Sequence, residues 1–257
     1  MVKYLLKKSY QRKDLKEINY RDLWNDKGVF TTMWIYGKPQ RILFFKSHID
    51  NLIKSLKAYT IYDEDTKKNL LKLIKINIDK KKIYNHLLRI ALNKTIISIS
   101  LRERLKPKNN FKLKLVNYER VRPEYKNLKY KKILSYLKKM NTSKSDIALY
   151  KDNKILETGT SNLLFIKKNK IYSPPNDFYK GTTLKFFFEK LKKIRKKNIF
   201  IDSLSGYDEI IVIGSGKGVV SVNYIEKPFW KRKSLKNYRI LSMIYQKAVT
   251  NCPLYNS

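Results

Sequence analysis

The spacing of hydrophobic positions in the first half of the chain changes from a helical period to a strand period. Apolar residues between positions 49 and 56 share one face, which predicts a helix over 47–59, and Ser47 with Asp50 is typical of a capping box at its start. A second helix is predicted over 65–76. The β-rich runs that follow predict strands over 86–92, 95–101 and 111–116. This grouping predicts an α+β first domain with an antiparallel sheet.

The second half of the chain shows short strands separated by regular turns. Strands are predicted over 147–150, 154–157, 162–166, 170–173, 209–213 and 219–223. Amphipathic helices are predicted over 131–140, 181–197 and 237–249. Between the halves, alternating charges and Pro123 indicate a connector. We therefore predict an N-terminal α+β domain at residues 1–117, a connector at 118–125 and a larger, β-rich C-terminal domain at 126–257.

Composition narrows the class of protein. Hydrophobic residues make up 42% of the 257 residues and aromatic residues 13%, which is enough for a buried core despite 31% charged residues. The net charge of +37 suggests a nucleic-acid binder. The excess is mostly lysine, however, and it is spread along the whole chain without a basic tail or block. We therefore interpret the lysines as solvated surface and expect no specific nucleic-acid partner.

Several kinds of site and segment are not expected from this sequence. Cys252 is the only cysteine, and His48 and His86 are the only histidines, so we predict no metal site. No apolar run has the length of a membrane span, and the short apolar step near the N-terminus is too short for a signal-peptide core. These features predict a cytoplasmic enzyme without a membrane partner.

A series of motifs, in a fixed order along the chain, indicates the class of protein more specifically than the composition does. The series comprises Arg21 to Gly28 followed by Val29-Phe30-Thr31-Thr32, then His48 to Leu52, Lys126 to Tyr130, Glu157 to Asn162 and Gly181-Thr182-Thr183. In this order the chain resembles the class IV aminotransferase family over about residues 21–222. The resemblance implies a two-domain α+β fold of the fold-type-IV pyridoxal-phosphate enzymes, with the cofactor between a smaller α+β domain and a larger β-rich one.

The chemistry of pyridoxal phosphate requires an amine, a partner for the ring nitrogen and a cradle for the phosphate. The resemblance assigns the amine to Lys126, which would also carry protons, with Lys129 as the alternative if the alignment slips. It assigns the ring-nitrogen partner to Glu157, whose carboxylate would keep the ring cationic. Without the flanking pattern, Lys126 would be a solvated surface lysine and Glu157 an exposed glutamate in a hairpin.

The phosphate cradle is expected at two places. Thr182 and Thr183 stand at a predicted helix start, where backbone N–H groups and the helix dipole favour an anion. Ser215 and Gly216 lie in a glycine-rich turn, and the resemblance implies that this turn completes the phosphate site. Helix capping and a plain strand connection are the alternative interpretations. Tyr130 is expected to donate to the ring hydroxyl of the cofactor, or else to be an ordinary core tyrosine.

The resemblance also suggests a substrate. Phe30, Thr31 and Thr32 would line the substrate side, and this triplet is more similar to aminodeoxychorismate lyases than to branched-chain or D-amino-acid aminotransferases. The implied reaction gives 4-aminobenzoate and pyruvate from the small-molecule amino substrate 4-amino-4-deoxychorismate, for folate biosynthesis, in a homodimer. The alternatives are one of those aminotransferases, or a basic binding protein that has lost catalysis. Three positions where arginine is common in the family differ here: Trp34, Asn51 and Leu184.

Overall fold

The structure is a computed structural model that describes residues 3–255, and these residues form two compact units. Residues 3–104, 125–130 and 251–255 belong to the first unit. Residues 105–124 and 131–250 belong to the second unit. Three separate stretches of the chain therefore form the first unit, and the short middle stretch contains Lys126.

The first unit is a six-stranded antiparallel sheet with two helices. Its elements are β1 (Tyr4–Gln11), β2 (Glu17–Ile18), β3 (Val29–Gly37), β4 (Arg41–Ile42), α1 (Phe45–Ala58), α2 (Thr66–Asn77), β5 (Tyr84–Leu92) and β6 (Ile96–Glu103). The strand order is β2-β1-β6-β5-β3-β4. Alternate residues of β3, β5 and β6 join the apolar faces of α1 and α2 in one buried core. The predicted α+β class with an antiparallel sheet is confirmed for this unit.

The second unit contains two five-stranded sheets, three α-helices and a short 3-10 helix at Ile201–Gly206. Its elements are β7 (Lys112–Asn117), α3 (Lys131–Lys138), β8 (Ser145–Lys151), β9 (Lys154–Thr158), β10 (Asn162–Lys167), β11 (Lys170–Ser173), α4 (Thr182–Leu191), β12 (Arg195–Lys196), β13 (Glu209–Gly214), β14 (Gly218–Ser221), β15 (Tyr224–Ile225), β16 (Trp230–Lys231) and α5 (Lys236–Thr250). One sheet has the order β12-β11-β10-β13-β14 and the other β16-β15-β7-β8-β9. Both sheets contribute to a core around Phe111, Phe165 and Trp230.

Three predictions about elements need correction. The capping box of Ser47 and Asp50 is wrong, because α1 begins earlier, after Phe44, and has no side-chain cap. The helix predicted over 181–197 ends at Leu191, because Lys192 adopts a left-handed conformation and the chain then continues into β12. The strand predicted near 111–116, which we grouped with the first sheet, instead pairs in parallel with β8.

Strand β3 was not predicted from the sequence, and neither was β1, in which exposed and buried residues do not alternate regularly. Strand β1 pairs antiparallel with β6 over nearly its full length. None of the helices among residues 3–255 is long and apolar enough to cross a membrane.

Candidate active site

The segment that carries Lys126 is fixed to the start of β3 by backbone hydrogen bonds. The amide of Phe30 donates to the carbonyl of Lys126 at 2.9 Å, and the amide of Leu128 donates to the carbonyl of Gly28 at 2.9 Å. A Cβ on Gly28 would lie 2.2 Å from the carbonyl oxygen of Leu92, so only glycine permits this close approach. The backbone of β3 thus determines where the lysine emerges.

The side chain of Lys126 lies against a cluster of three aromatic rings. Its Nζ is 4.8 Å from the centre of the Phe30 ring. The ring centres of Trp24 and Tyr130 are 5.0 and 5.4 Å from that of Phe30, and Trp24 stacks on Tyr130 at 5.7 Å. We refer to Trp24, Phe30 and Tyr130 as the aromatic cluster. Its π faces attract cations and flat ligands, so the lysine amine and a surface for a planar group share one region of the first unit.

Arg89 on β5 adds a buried cation to the aromatic cluster. Its guanidinium carbon is 3.7 Å from the centre of the Trp24 ring and 5.5 Å from that of Phe30. Nη2 donates to the carbonyl oxygen of Asp22 at 2.8 Å. Burial lowers the pKa of Arg89, and charges on Tyr20 and Asp22 oppose that lowering. Within the described part of the chain, Nε of Arg89 is buried and has no hydrogen-bond partner.

His48 lies on the opposite face of the sheet, in α1. Its Nδ1 is 3.0 Å from the hydroxyl oxygen of Thr31, and both residues are buried. Burial lowers the pKa of His48 to about 3, and the positive charge of Lys126 adds to the effect. The imidazole is therefore neutral at physiological pH and places no second positive charge near the lysine.

The structure separates the three residues expected to line the substrate side. Phe30 belongs to the aromatic cluster, and Thr32 shares its face and lies opposite Arg89 in the sheet. Thr31 points to the other face, where it contacts His48. This separation follows from the alternation of side chains along a strand. Tyr130 is buried in the aromatic cluster, beside the segment of Lys126.

In the second unit, Glu157 at the end of β9 forms a buried ion pair with Arg120. Nε of Arg120 donates to Oε1 of Glu157 at 2.7 Å, and only 2% and 7% of the two side chains are exposed. Nη2 of Arg120 donates to the carbonyl oxygen of Pro123 at 2.8 Å. Burial raises the pKa of the nearby Tyr179 to about 12, with opposing contributions from the charges of Arg120 and Glu157. Glu157 is therefore a buried carboxylate and not an exposed hairpin glutamate.

The loop after Glu157 is held by the fully buried Asp146. Oδ2 of Asp146 accepts from the hydroxyls of Thr158 at 3.0 Å and Thr160 at 2.7 Å. The same oxygen lies 3.7 Å from Nζ of Lys217, which also donates to the carbonyl oxygen of Thr142 at 3.1 Å. Asp146 thus connects the glutamate loop with the glycine-rich turn that contains Lys217.

The predicted phosphate residues lie close together in the second unit. Helix α4 begins at Thr182 without a side-chain cap, so the N–H groups of its first turn point out of the helix end. The hydroxyl oxygens of Thr183 and Ser215 are 3.5 Å apart. The start of α4 is positioned by Asn162, whose Oδ1 accepts from the amide of Gly181 at 3.0 Å. Hydroxyl groups and a helix start at one place are a donor set that suits a phosphate.

The structure also shows functional candidates that the sequence analysis did not select. Arg89, Arg120 and Asp146 are all buried, but a single arginine or aspartate in a lysine-rich chain gives no local signal of burial. Of the positions where arginine is common, Leu184 is fully buried in α4 and Trp34 stacks on Tyr36 at 4.4 Å. An arginine at either position would require different packing.

Comparison with known proteins identifies the fold. The sequence model of the family described as amino-transferase class IV matches residues 28–225. No curated protein sequence matches the chain. A branched-chain aminotransferase from Thermoproteus uzoniensis, solved with norvaline, is 14% identical with a TM-score of 0.76, and 93% of each chain is covered.

Two further solved structures have the same fold. The T.th. branched-chain amino acid aminotransferase, complexed with N-(5'-phosphopyridoxyl)-L-glutamate, has a TM-score of 0.76 at 16% identity, covering 95% of this chain and 94% of that one. A putative 4-amino-4-deoxychorismate lyase from Legionella pneumophila has a TM-score of 0.73 at 15% identity, covering 86% and 91%. At such identities the likeness shows the fold, and the predicted α+β fold class is confirmed.

Proposed function

Because the chain belongs to the class IV amino-transferase family, and is therefore a pyridoxal-phosphate-dependent aminotransferase or lyase, we propose that it is an aminodeoxychorismate lyase. The reaction would cleave 4-amino-4-deoxychorismate into 4-aminobenzoate and pyruvate. The cofactor, when bound, supplies an electron sink for negative charge that develops on the substrate.

The residues of both units fit the requirements of this cofactor. Lys126 provides an amine on a segment fixed to β3, and Glu157 provides a buried carboxylate for the ring nitrogen. The start of α4, with Thr182 and Thr183, and the turn with Ser215 and Gly216 provide N–H and hydroxyl donors for the phosphate. Tyr130 is the proposed donor to the ring hydroxyl. Each of these groups has the chemistry of its proposed role.

The aromatic cluster with Arg89 is the observation that favours the lyase reaction. Its substrate carries an unsaturated six-membered ring and carboxylate groups. The flat faces of Trp24 and Phe30 suit such a ring, and the buried guanidinium, with an unpartnered Nε among the described residues, suits a carboxylate. A branched aliphatic side chain has neither a ring to stack nor a second carboxylate to bind.

Lys126 has the central catalytic role in this proposal. With the cofactor bound, this amine would hold it and would carry a proton to or from the substrate. His48, behind the sheet, is neutral and therefore places no second positive charge near this amine. The Phe30 ring, whose centre is 4.8 Å from the amine nitrogen, covers one side of it.

An aminotransferase is the second candidate, and Arg89 also supports it. Amino donors such as glutamate carry a side-chain carboxylate, which a buried guanidinium can bind as well as it binds a carboxylate on a ring. Such an enzyme would move the proton to the cofactor and release a keto acid.

A paired substrate assay tests the proposal. The purified protein, supplied with pyridoxal phosphate, is given 4-amino-4-deoxychorismate, and 4-aminobenzoate is followed by fluorescence while pyruvate is measured through lactate dehydrogenase. In parallel, L-leucine or D-alanine is offered with 2-oxoglutarate and glutamate is measured. Equal amounts of 4-aminobenzoate and pyruvate support the lyase. Formation of glutamate without any 4-aminobenzoate would establish the aminotransferase instead.

A further inference from the structure

We propose that Arg120 is a positioning residue that keeps Glu157 ionised and aimed, so that this glutamate can hold the protonated ring nitrogen of the cofactor. This inference rests on the proposed use of pyridoxal phosphate. It adds a residue that the sequence motifs do not include, since Arg120 lies six positions before Lys126 in the stretch predicted to be a connector.

The geometry of the ion pair carries the inference. Nε of Arg120 is 2.7 Å from Oε1 of Glu157, a distance typical of a charge-assisted hydrogen bond. The guanidinium is held from another direction by the carbonyl oxygen of Pro123, which accepts from Nη2 at 2.8 Å. The arginine therefore has a fixed orientation, and it fixes the carboxylate in turn.

Burial explains why the carboxylate needs this cation. The side chain of Glu157 is 7% exposed and that of Arg120 is 2% exposed. A buried carboxylate without a cation nearby tends to take up a proton, because water no longer stabilises its charge. A neutral carboxylic acid cannot stabilise a cationic ring nitrogen. Removing the guanidinium should therefore weaken the one interaction that distinguishes the ring nitrogen from a carbon.

Tyr179 lies in the same unit and adds no negative charge beside Glu157. Burial raises its pKa to about 12, so its hydroxyl is neutral at physiological pH. The charge of Arg120 lowers this pKa and that of Glu157 raises it. Arg120 brings a positive charge into direct contact with Glu157.

The test compares two ligands: pyridoxal phosphate and 1-deazapyridoxal phosphate, in which C–H replaces the ring nitrogen. Dissociation constants are measured by tryptophan fluorescence for the wild type, Arg120→Met, Arg120→Gln and Arg120→Lys, and thermal unfolding checks that each protein is folded. The quantity of interest is the preference for the natural cofactor over the analogue. We expect Met and Gln to reduce this preference about tenfold, the effect of losing a charge-assisted interaction, and Lys to retain most of it.

A Glu157→Gln background provides the control for a purely structural role. If Arg120 acts through the carboxylate, Arg120→Met has no further effect on the preference once Glu157 is Gln. The assignment would be overturned if Arg120→Gln and Arg120→Met bound both ligands equally more weakly, or if both variants kept the wild-type preference for pyridoxal phosphate. Either result would leave the proposed function intact. A wild-type protein that binds neither ligand would overturn the proposed function and this inference together.

Discussion

Two buried arginines differ in the way their charge is balanced. Arg120 has a full carboxylate partner in Glu157. Arg89 has a carbonyl bond and a carboxylate oxygen of the half-exposed Asp22 at 3.6 Å, and its Nε is buried without a partner in the described residues. A buried donor without a partner costs stability, and such residues are often retained for a ligand. The contrast suggests that Arg120 acts on the protein itself and Arg89 acts on the substrate.

Replacing Arg89 should impair substrate binding and spare the cofactor. We expect Arg89→Met to raise KM for a carboxylate substrate at least about tenfold, because a charge-assisted hydrogen bond is lost. Cofactor affinity should stay within about twofold of the wild type, since Arg89 is not among the residues proposed to bind the cofactor. Steady-state kinetics and a cofactor titration measure the two effects. Arg102→Met, on the same face of the sheet, is the matched control, and an equal rise in KM there would refute a specific role for Arg89.

His48 should make stability depend on pH. Its pKa is about 3 in the folded protein because of burial and the charge of Lys126, and about 6.5 when unfolded. Between these values the unfolded chain binds more protons, so stability is lost as pH falls from about 6.5 towards 3. In His48→Gln the free energy of unfolding should fall less steeply with decreasing pH, by up to about 1.4 kcal/mol per pH unit. Urea unfolding at several pH values measures the slopes, and parallel slopes would contradict the assignment.

At the scale of elements, polar side chains connect the loops of the candidate site in the second unit. Asp146, at the start of β8, bonds the glutamate loop through Thr158 and approaches Lys217 of the turn after β13. The same turn approaches the loop closely, since a Cβ on Gly214 would lie 2.6 Å from the hydroxyl of Ser161. A displacement of one loop would therefore also displace the other.

Asp146→Asn should destabilise the second unit. The substitution leaves the amine of Lys217, only 11% exposed, without its carboxylate, and breaking a buried pair in this way costs about 3 kcal/mol. Asp152→Asn, at the exposed end of the same hairpin, should change stability by less than about 0.5 kcal/mol. Urea unfolding of both variants decides the matter. Equal stability of the two would show that Asp146 does not hold the loops.

Gly28 should not tolerate a methyl group. In Gly28→Ala the new carbon would lie 2.2 Å from a backbone oxygen of Leu92 and 2.7 Å from Leu128, so the lysine segment must move away from β3. We expect a loss of about 2 kcal/mol in thermal or urea unfolding. Gly206→Ala is the control, because its new carbon meets only the flexible end of Lys167 at 3.1 Å and should cost little. Similar costs at both glycines would contradict the close approach.

At the scale of the whole molecule, periodicity predicted most helices and strands, because burial of one face imposes a period on the sequence. Periodicity did not predict the start of α1, the strand β1 or the pairing of β7. Ser47 and Asp50 have the residue types of a capping box, yet packing starts α1 two residues earlier. Strand β1 has no regular alternation of exposed and buried residues that a period could detect. The parallel partner of β7 is distant in the sequence, and no local pattern specifies it.

The candidate site was predicted only as far as the family resemblance reached. The segments of Lys126 and Glu157 were selected by their motifs, whereas Arg89 and Arg120 became candidates only when the structure showed their burial and contacts. The high positive charge is compatible with an enzyme, since Lys46 and many other lysines are exposed. The homodimer and the cytoplasmic location remain predictions.

The most direct measurement of the central claim is covalent trapping of the cofactor on the protein. Wild type, Lys126→Ala and Lys129→Ala are incubated with pyridoxal phosphate, reduced with borohydride, digested and analysed by mass spectrometry. The Lys129 variant is the matched control, since that amine is exposed and donates to the carbonyl oxygen of Asn25. We predict a reduced cofactor on Lys126 in the wild type and in Lys129→Ala, and none in Lys126→Ala. Label on Lys129, or no label on any lysine of the wild type, would contradict the account.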